Sequence, residues 1–251
     1  LNMINTKKIQ THAFLWYKDT HEYILTKLAK AGITHLNLSL ESGNKNNKAI
    51  IASAKKLIPN VRYIKVRPCG SDQLGFYCSA IKYNKTKKDW ILYCHDKSKT
   101  KQKWVDGILD PILQDKINDI IVDNNIGIIS SGHPDYFKQL WSEEDLVKLD
   151  HQTFFHDKKC IVECRHTLTW LRELQYILFR KHGLMDKENL NFNFTAGNMF
   201  LIRRDVLQVA HSCIHSNFFP NNYRADGDVS HALERFYYYV SICMKYKNEF
   251  I

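Results

Sequence analysis

No stretch of the 251-residue sequence approaches the length of a membrane-spanning helix, and no apolar leader with a cleavage site opens it. No transmembrane segment is therefore expected in this chain. The glycine-rich dinucleotide fingerprint and the Walker A loop are both missing, which argues against nicotinamide and P-loop chemistry. There is no G-x-S-x-G elbow, so the signature of an α/β-hydrolase nucleophile is lacking too. The histidines outside one loop show no H-E-x-x-H or comparable spacing and read as surface or satisfied core residues. RRM, KH and zinc-finger signatures are absent, as are internal repeats and low-complexity linkers. Count and placement argue against a disulfide framework. The seven cysteines (69, 78, 94, 160, 164, 213 and 243) are odd in number and scattered, and Cys94 closes the apolar run Trp90-Ile91-Leu92-Tyr93-Cys94. They read as free thiols, which predicts a reducing, cytoplasmic compartment. Cys160 and Cys164 have no second close pair, which argues against zinc.

What is present is a large apolar fraction, 44 %, sufficient for a sizeable core. A single domain over residues 1–251 is expected. The chain opens at Leu1 rather than Met, so it is read as a candidate piece of a longer protein. Its formal charge of +10 favours polyanionic partners: nucleotide phosphates, nucleic acid, or peripheral contact with a membrane surface. The charge is spread, with clusters at Lys85-Thr86-Lys87-Lys88 and Lys97-Ser98-Lys99-Thr100-Lys101.

Strand and helix patterns alternate along the first 130 residues. After a polar lead-in over 1–9, strands are predicted near 11–17, 33–40, 61–66, 89–94 and 126–130. Helices are predicted over 21–31, 47–57, 72–83 and 102–113. This is the pattern of an α/β fold with a mixed, mostly parallel central sheet flanked by helices. Residues 132–192 look different: helix-rich, with helices near 143–155 and 167–181, as an insertion or cap over the sheet. A last strand near 198–203 and a helix carrying Val229, Ala232, Leu233, Phe236 and Val240 on one stripe return the chain to the sheet.

In such sheets ligands bind beyond the carboxyl ends of the strands. Those ends carry Lys18-Asp19, Glu41-Ser42-Gly43, Arg67 to Asp72, and His95 to Lys99. Gly70 permits a tight turn, and Asp72 could cap the next helix or accept from a sugar hydroxyl. His95, Lys97 and Lys99 could neutralise a diphosphate and Asp96 could hold a metal, or the segment is a solvated charged loop. Asp226 and Asp228 sit at a glycine-marked helix start, as an active-site acid or as an ordinary N-cap.

Four segments, taken in order, resemble the rhamnan synthesis protein F family of glycosyltransferases. Pro68-Cys69-Gly70-Ser71-Asp72 keeps the Gly and Asp of an N-R-G-R-D-like turn. His95-Asp96-Lys97-Ser98-Lys99 with Trp104 keeps the His and first Lys of an H-T-K-K-S-like stretch. Ala196-Gly197-Asn198-Met199-Phe200-Leu201-Ile202-Arg203 is similar to an A-G-S-M-F-W-x-R strand. Asp226-Gly227-Asp228-Val229-Ser230-His231-Ala232-Leu233-Glu234-Arg235 is similar to a D-G-x-x-A-H-A-x-E-R helix. The resemblance implies a single GT-A-type domain that binds a nucleotide-sugar donor and a glycan acceptor and works in polysaccharide synthesis. It implies a catalytic base at Asp226, with Asp228 second, and inverting chemistry. Asp72, Gly70, His95, Lys97 and Lys99 then face the donor, while Gly197, Asn198 and His231 line the acceptor side. A divalent ion, Mn2+ or Mg2+, sits on Asp96 or is dispensed with, since His95-Asp96-Lys97 stands where an Asp-x-Asp motif is usual. Glu234 and Arg235 are expected as a structural ion pair. Two other readings compete. A basic nucleic-acid-binding or nuclease domain would use the charge and the aromatics (13 Tyr, 13 Phe, 5 Trp), although no nucleic acid is expected under the first reading. A non-catalytic carbohydrate-binding relic of the same fold is the other.

Overall fold

A computed structural model describes residues 4–68, 72–83, 88–132, 136–139, 158–186, 192–195, 197–221 and 229–251. The chain runs β1 (Ile9–Phe14), α1 (His21–Lys30), β2 (His35–Glu41), α2 (Asn47–Leu57), β3 (Asn60–Val66), α3 (Asp72–Lys82), β4 (Trp90–His95), α4 (Gln102–Ile112), α5 (Ile117–Ile120), β5 (Ile126–Ser130) and β6 (Tyr136–Gln139). It continues through α6 (Lys158–His182), β7 (Phe192–Thr195), β8 (Phe200–Arg203), α7 (Arg204–Ser212), α8 (Val229–Cys243) and β9 (Lys247–Phe250). The main sheet has seven strands in the order β3-β2-β1-β4-β8-β5-β9. Strands β3, β2, β1 and β4 are mutually parallel, β8 runs antiparallel to both β4 and β5, and β9 lies parallel to β5. The expected mixed, mostly parallel α/β sheet is the observed one.

Side-chain alternation along the strands splits the core into two layers. Trp90, Leu92 and Cys94 of β4 face one layer with Leu36, Leu38 and Leu40 of β2, under α1, α2, α4 and α5. Ile91 and Tyr93 face the other with Phe200 and Ile202 of β8, under α3, α6, α7 and α8. The apolar stripe predicted for α8 is buried here, and Tyr237, Tyr238 and Tyr239 are buried with it.

Five features depart from the sequence expectation. Strand β1 begins inside the supposed lead-in and ends at Phe14 rather than residue 17. Ladder pairing with β4 from Ile9 sets its start, and the chain beyond Phe14 is drawn out by other contacts described below. Helices α5 and α7 and edge strand β9 were not anticipated. The sequence Lys247-Asn248-Glu249-Phe250 lacks apolar alternation because an edge strand buries little, its residues being alternately exposed and half-buried. The stretch 132–192 contains α6 but is also bracketed by β6 and β7, which pair antiparallel as a separate two-stranded ribbon. The helix expected near 143–155 lies outside the described residues.

Candidate active site

The strand order breaks its parallel run between β4 and β8. Because β8 is antiparallel, its start lies beside the end of β4, with Phe200 opposite Tyr93. The turn that feeds β8, Gly197-Asn198, therefore meets His95 and the loop after it. Gly197 has φ +96 and Asn198 φ 52, both left-handed. A side chain at Gly197 would collide with the Trp104 ring of α4, so this position requires glycine for both conformation and space.

His95 is 3 % exposed. Its Nε2 faces the Gly197 carbonyl and its Nδ1 lies 3.1 Å from the Asp96 carbonyl. A neutral ring donates to only one of the two. Burial and then the Lys97 charge push its pKa below the ordinary value, against Asp72 and the carbonyls, which raise it. The ring is thus built into the scaffold between β4 and the Gly197 turn.

Asp72 opens α3 at the same end of the sheet. Tyr93 Oη donates to its carboxylate at 3.0 Å and Gln73 Nε2 at 3.2 Å. Burial pushes this carboxyl up, but His95, Lys97 and the two donors outweigh it and hold it below the usual carboxylate range. The chain of bonds continues inward: Tyr237 Oη donates to Gln73 Oε1 at 3.1 Å, and His211 Nε2 lies 3.2 Å from Tyr237 Oη. Lys97 places its Nζ 5.4 Å from the centre of the Trp104 ring, a cation–π contact. It also acts electrostatically on Asp72, His95 and Glu234. Lys99 is exposed at the start of a short 3-10 turn, Lys99–Lys101.

Asp96 faces inward. Its two oxygens accept from the backbone N–H groups of Trp16 and Tyr17 at 2.9 and 2.8 Å, which fastens the β1–α1 connection to β4 and ends β1 at Phe14. Burial pushes its pKa up to about 7, opposed by these N–H groups and by Thr20. A metal-ligand carboxylate presents oxygens to the ion, together with other hard donors. Asp96 has spent its oxygens on backbone, and among the described residues no group of three or more His, Cys, Asp or Glu is placed to hold an ion. Asp96 as placed does not fit a seat for Mn2+ or Mg2+.

Helix α8 supplies the last side of the site. Glu234 Oε1 accepts from Gly197 N–H at 3.3 Å and from Asn198 Nδ2 at 3.1 Å. Burial raises its pKa against the His231 and Arg235 charges, and Asp72 raises it further. Arg235 lies 3.8 Å from Glu234 Oε2, and donates at 2.7 Å to the His231 carbonyl. Glu234 is thus engaged first with the turn and only loosely with Arg235. His231 is half-buried and within electrostatic reach of Glu234.

Of the residues singled out in the sequence, Asp72, His95, Lys97, Gly197, Asn198 and His231 come to one end of the sheet. Asp96 lies beneath it, and Lys99 stands on the exposed rim. Gly70, Asp226 and Asp228 lie outside the described residues. The sequence did not single out Tyr93, Gln73 or Tyr237; Tyr93 reaches Asp72 from 21 positions away, and Tyr237 reaches Gln73 across 164. Glu234 was anticipated only as the partner of Arg235; its place one turn or so into the helix after an acid-glycine start was the available signal. Arg67, at the end of β3, donates to the carbonyls of Ser216, Phe219 and Pro220 and to Asn221 Oδ1.

Compared with known families, residues 1–246 match the model described as rhamnan synthesis protein F. A comparison with curated proteins returns no match. No helix of the described residues is long and apolar enough to cross a membrane.

Proposed function

We propose that this chain, which belongs to the rhamnan synthesis protein F family, transfers a sugar from a nucleoside diphosphate sugar to a glycan hydroxyl. One observation carries the reading: four separate segments bring Asp72, Lys97, Gly197-Asn198 and Glu234 together where β4 ends against the start of β8. A crevice at the break in strand order is where an open α/β sheet holds ligands.

In the reaction the bond between the sugar C1 and the diphosphate oxygen breaks, and a bond from C1 to the acceptor oxygen forms. The diphosphate leaves with the electron pair, and the acceptor proton passes to a base. Lys97 and Lys99 meet the developing negative charge on the diphosphate. Lys97 is held for this by Trp104, and His95 positions the loop by bonding the Gly197 carbonyl. Asp72, kept ionised, accepts from a hydroxyl of the donor. His231 and the Gly197-Asn198 turn lie on the acceptor side. The base is Asp226, three residues ahead of α8, with Asp228 as the alternative; a single base favours inversion at C1. The family's name ties its polymer to rhamnose, so nucleoside diphosphate rhamnoses are the first donors to test.

The test is a thermal-shift screen of UDP, GDP, dTDP and CMP sugars with and without manganese, followed by turnover with the donor that raises the melting temperature. Asp226→Asn is expected to bind that donor while turnover falls by about 10²–10⁴. Donor binding without turnover in the wild type would leave a carbohydrate-binding relic. No shift with any nucleotide sugar would overturn the reading altogether. Full turnover in both Asp226→Asn and Asp228→Asn would move the base elsewhere.

A further inference from the structure

Asn198 is 2 % exposed, and its side-chain oxygen meets no hydrogen-bond partner among the described residues. The other end of the same amide is fully specified. Nδ2 donates to Glu234 Oε1, which also accepts from the Gly197 N–H. Rotating the amide by half a turn would set Oδ1 against a carboxylate oxygen, so Glu234 dictates which end points where. The backbone adds a second constraint, since Asn198 is held at φ 52, where an asparagine is tolerated and most residues are strained.

A dry, unpaired amide oxygen is destabilising, and a fold retains one where something else supplies the donor. Its neighbours here belong to the site already described: Gly197 bonds His95 and packs on Trp104, and Glu234 feels Asp72 and Lys97. We infer that Asn198 Oδ1 is a specificity-determining acceptor, oriented by Glu234, for a hydroxyl of a bound sugar. It selects a ligand that presents an O–H at this point against one that lacks it, because the deoxy ligand would leave the oxygen unpaired. This inference rests on the glycosyltransferase reading, and the hydroxyl belongs either to the donor sugar or to the glycan acceptor.

The experiment titrates wild type, Asn198→Gly and Glu234→Gln in two arms. One arm compares nucleoside diphosphate rhamnoses with their parent nucleoside diphosphates; the other uses methyl α-rhamnoside as the acceptor mimic. Glycine accepts the left-handed backbone, so Asn198→Gly is expected to fold, with a melting temperature lowered modestly by the lost bond to Glu234. It is expected to lose about tenfold in affinity in one arm only, and that arm identifies the source of the hydroxyl. The parent nucleoside diphosphate should bind as before. Within the affected arm, one monodeoxy sugar should bind wild type and variant alike. Glu234→Gln, whose own amide can present either end to Asn198, should show a smaller loss at the same hydroxyl. Wild-type binding in either arm with no loss in Asn198→Gly would overturn the inference and leave the glycosyltransferase reading standing. Failure of the wild type to bind in both arms would overturn this inference, while the glycosyltransferase reading falls only if no nucleotide sugar raises the melting temperature. A loss spread equally over every deoxy sugar would show a merely structural role and would also overturn it.

Discussion

The two faces of the sheet are held by different physics. Under α1, α2, α4 and α5 the core is mostly aliphatic, with Leu36, Leu38, Leu40 and Leu92 of the strands meeting Ile24, Leu28, Ile108 and Leu109 of the helices. Packing there is a matter of volume and shape, and Lys27 with Asp106 and Asp110 adds only a partly exposed ion pair at the rim. Under α3, α7 and α8 the core is aromatic and threaded with polar groups. Phe76 stacks on Tyr93 at 4.0 Å between ring centres, and Tyr237 packs edge-on to Phe200. Next to these, His12 bonds Ser79, Asn37 Nδ2 lies 3.3 Å from His12 Nε2, and Ser39 Oγ donates to the Gly75 carbonyl. Helix α3 comes this close to β1 and β2 because Gly75 has no side chain; a Cβ there would strike Phe14. The first face gives mainly stability, and reaches the candidate site only through Trp104 of α4. The second ends at Asp72, so its hydrogen bonds both hold the fold and fix a charge at the candidate site.

The sharpest way to break this comparison is acid. Burial lowers His12 and His211 to about 3 each, with His211 adding to the effect on His12. Groups whose folded pKa lies below the unfolded value of about 6.5 contribute stability that is fully present above that pH and lost as pH falls toward 3. Asp96, raised to about 7, runs the other way, its penalty growing as pH rises from about 4 to 7. The readout is therefore the difference between variants. His211→Phe should unfold less steeply with falling pH than the wild type, and the gap between pH 6.5 and 4 should reach on the order of several kcal/mol. Parallel curves for the two proteins would mean that the aromatic face does not carry the acid sensitivity.

Truncation sharpens the same contrast. Leu92 is fully buried on the aliphatic face, and Leu92→Ala should lower stability by about 2–5 kcal/mol. The molecules that remain folded should bind nucleotide sugars as the wild type does. Tyr237→Phe on the other face removes only a hydroxyl, one that donates to Gln73 and sits beside His211. Its loss should be smaller, about 1–3 kcal/mol, yet it should weaken donor binding through Gln73 and Asp72. Denaturant midpoints and donor titrations on the two variants decide it: equal effects on donor binding would erase the distinction between the faces.

Legibility in sequence followed local pattern rather than face: α3 on the aromatic side lies within a residue of its predicted 72–83, while α5 on the aliphatic side was not anticipated. Helix α2 and strand β5 have the bounds that periodicity and turn residues predicted, and β2 and α1 differ by a residue or two. Local alternation dictates those elements, so local reading recovers them. Strand β9 escaped because an edge strand needs little apolar pattern, and α7 because Arg204-Asp205-Val206-Leu207 follows β8 without a loop. In the candidate site, His95, Lys97 and Gly197-Asn198 were legible as polar residues or turns abutting apolar strands. Tyr93, Gln73 and Tyr237 were not, since each reads as an ordinary member of a strand or helix and acquires its role only from partners far along the chain. Asp96 shows the opposite failure. Its position after a strand suggested a metal ligand, whereas the two backbone N–H groups it accepts from lie 79 and 80 positions away and leave no trace in its own neighbourhood.

The smallest expected effect comes from the boundary of the polar face. Arg67 spreads its guanidinium over the loop that follows α7, donating from Nη1 at 2.9 Å to the Pro220 carbonyl and at 2.9 Å to Asn221 Oδ1, and from Nη2 at 3.1 Å to the Ser216 carbonyl. These acceptors are mostly backbone, so what the side chain fixes is the path of the loop rather than the charge of a neighbour. Lysine keeps the positive charge but presents a single ammonium in place of a planar fork, and cannot reach acceptors on both sides of the loop at once. Arg67→Lys should therefore lower stability by only about 1 kcal/mol. If the loop merely closes the fold, donor affinity and turnover will both hold. If it sets the approach of the chain toward Asp226, five residues beyond Asn221, turnover should fall while donor affinity stays, because a base that is misplaced acts on the reaction and not on binding. Measuring kcat and donor Kd on this one variant separates the two outcomes, and equal losses in both would place Arg67 with the donor instead.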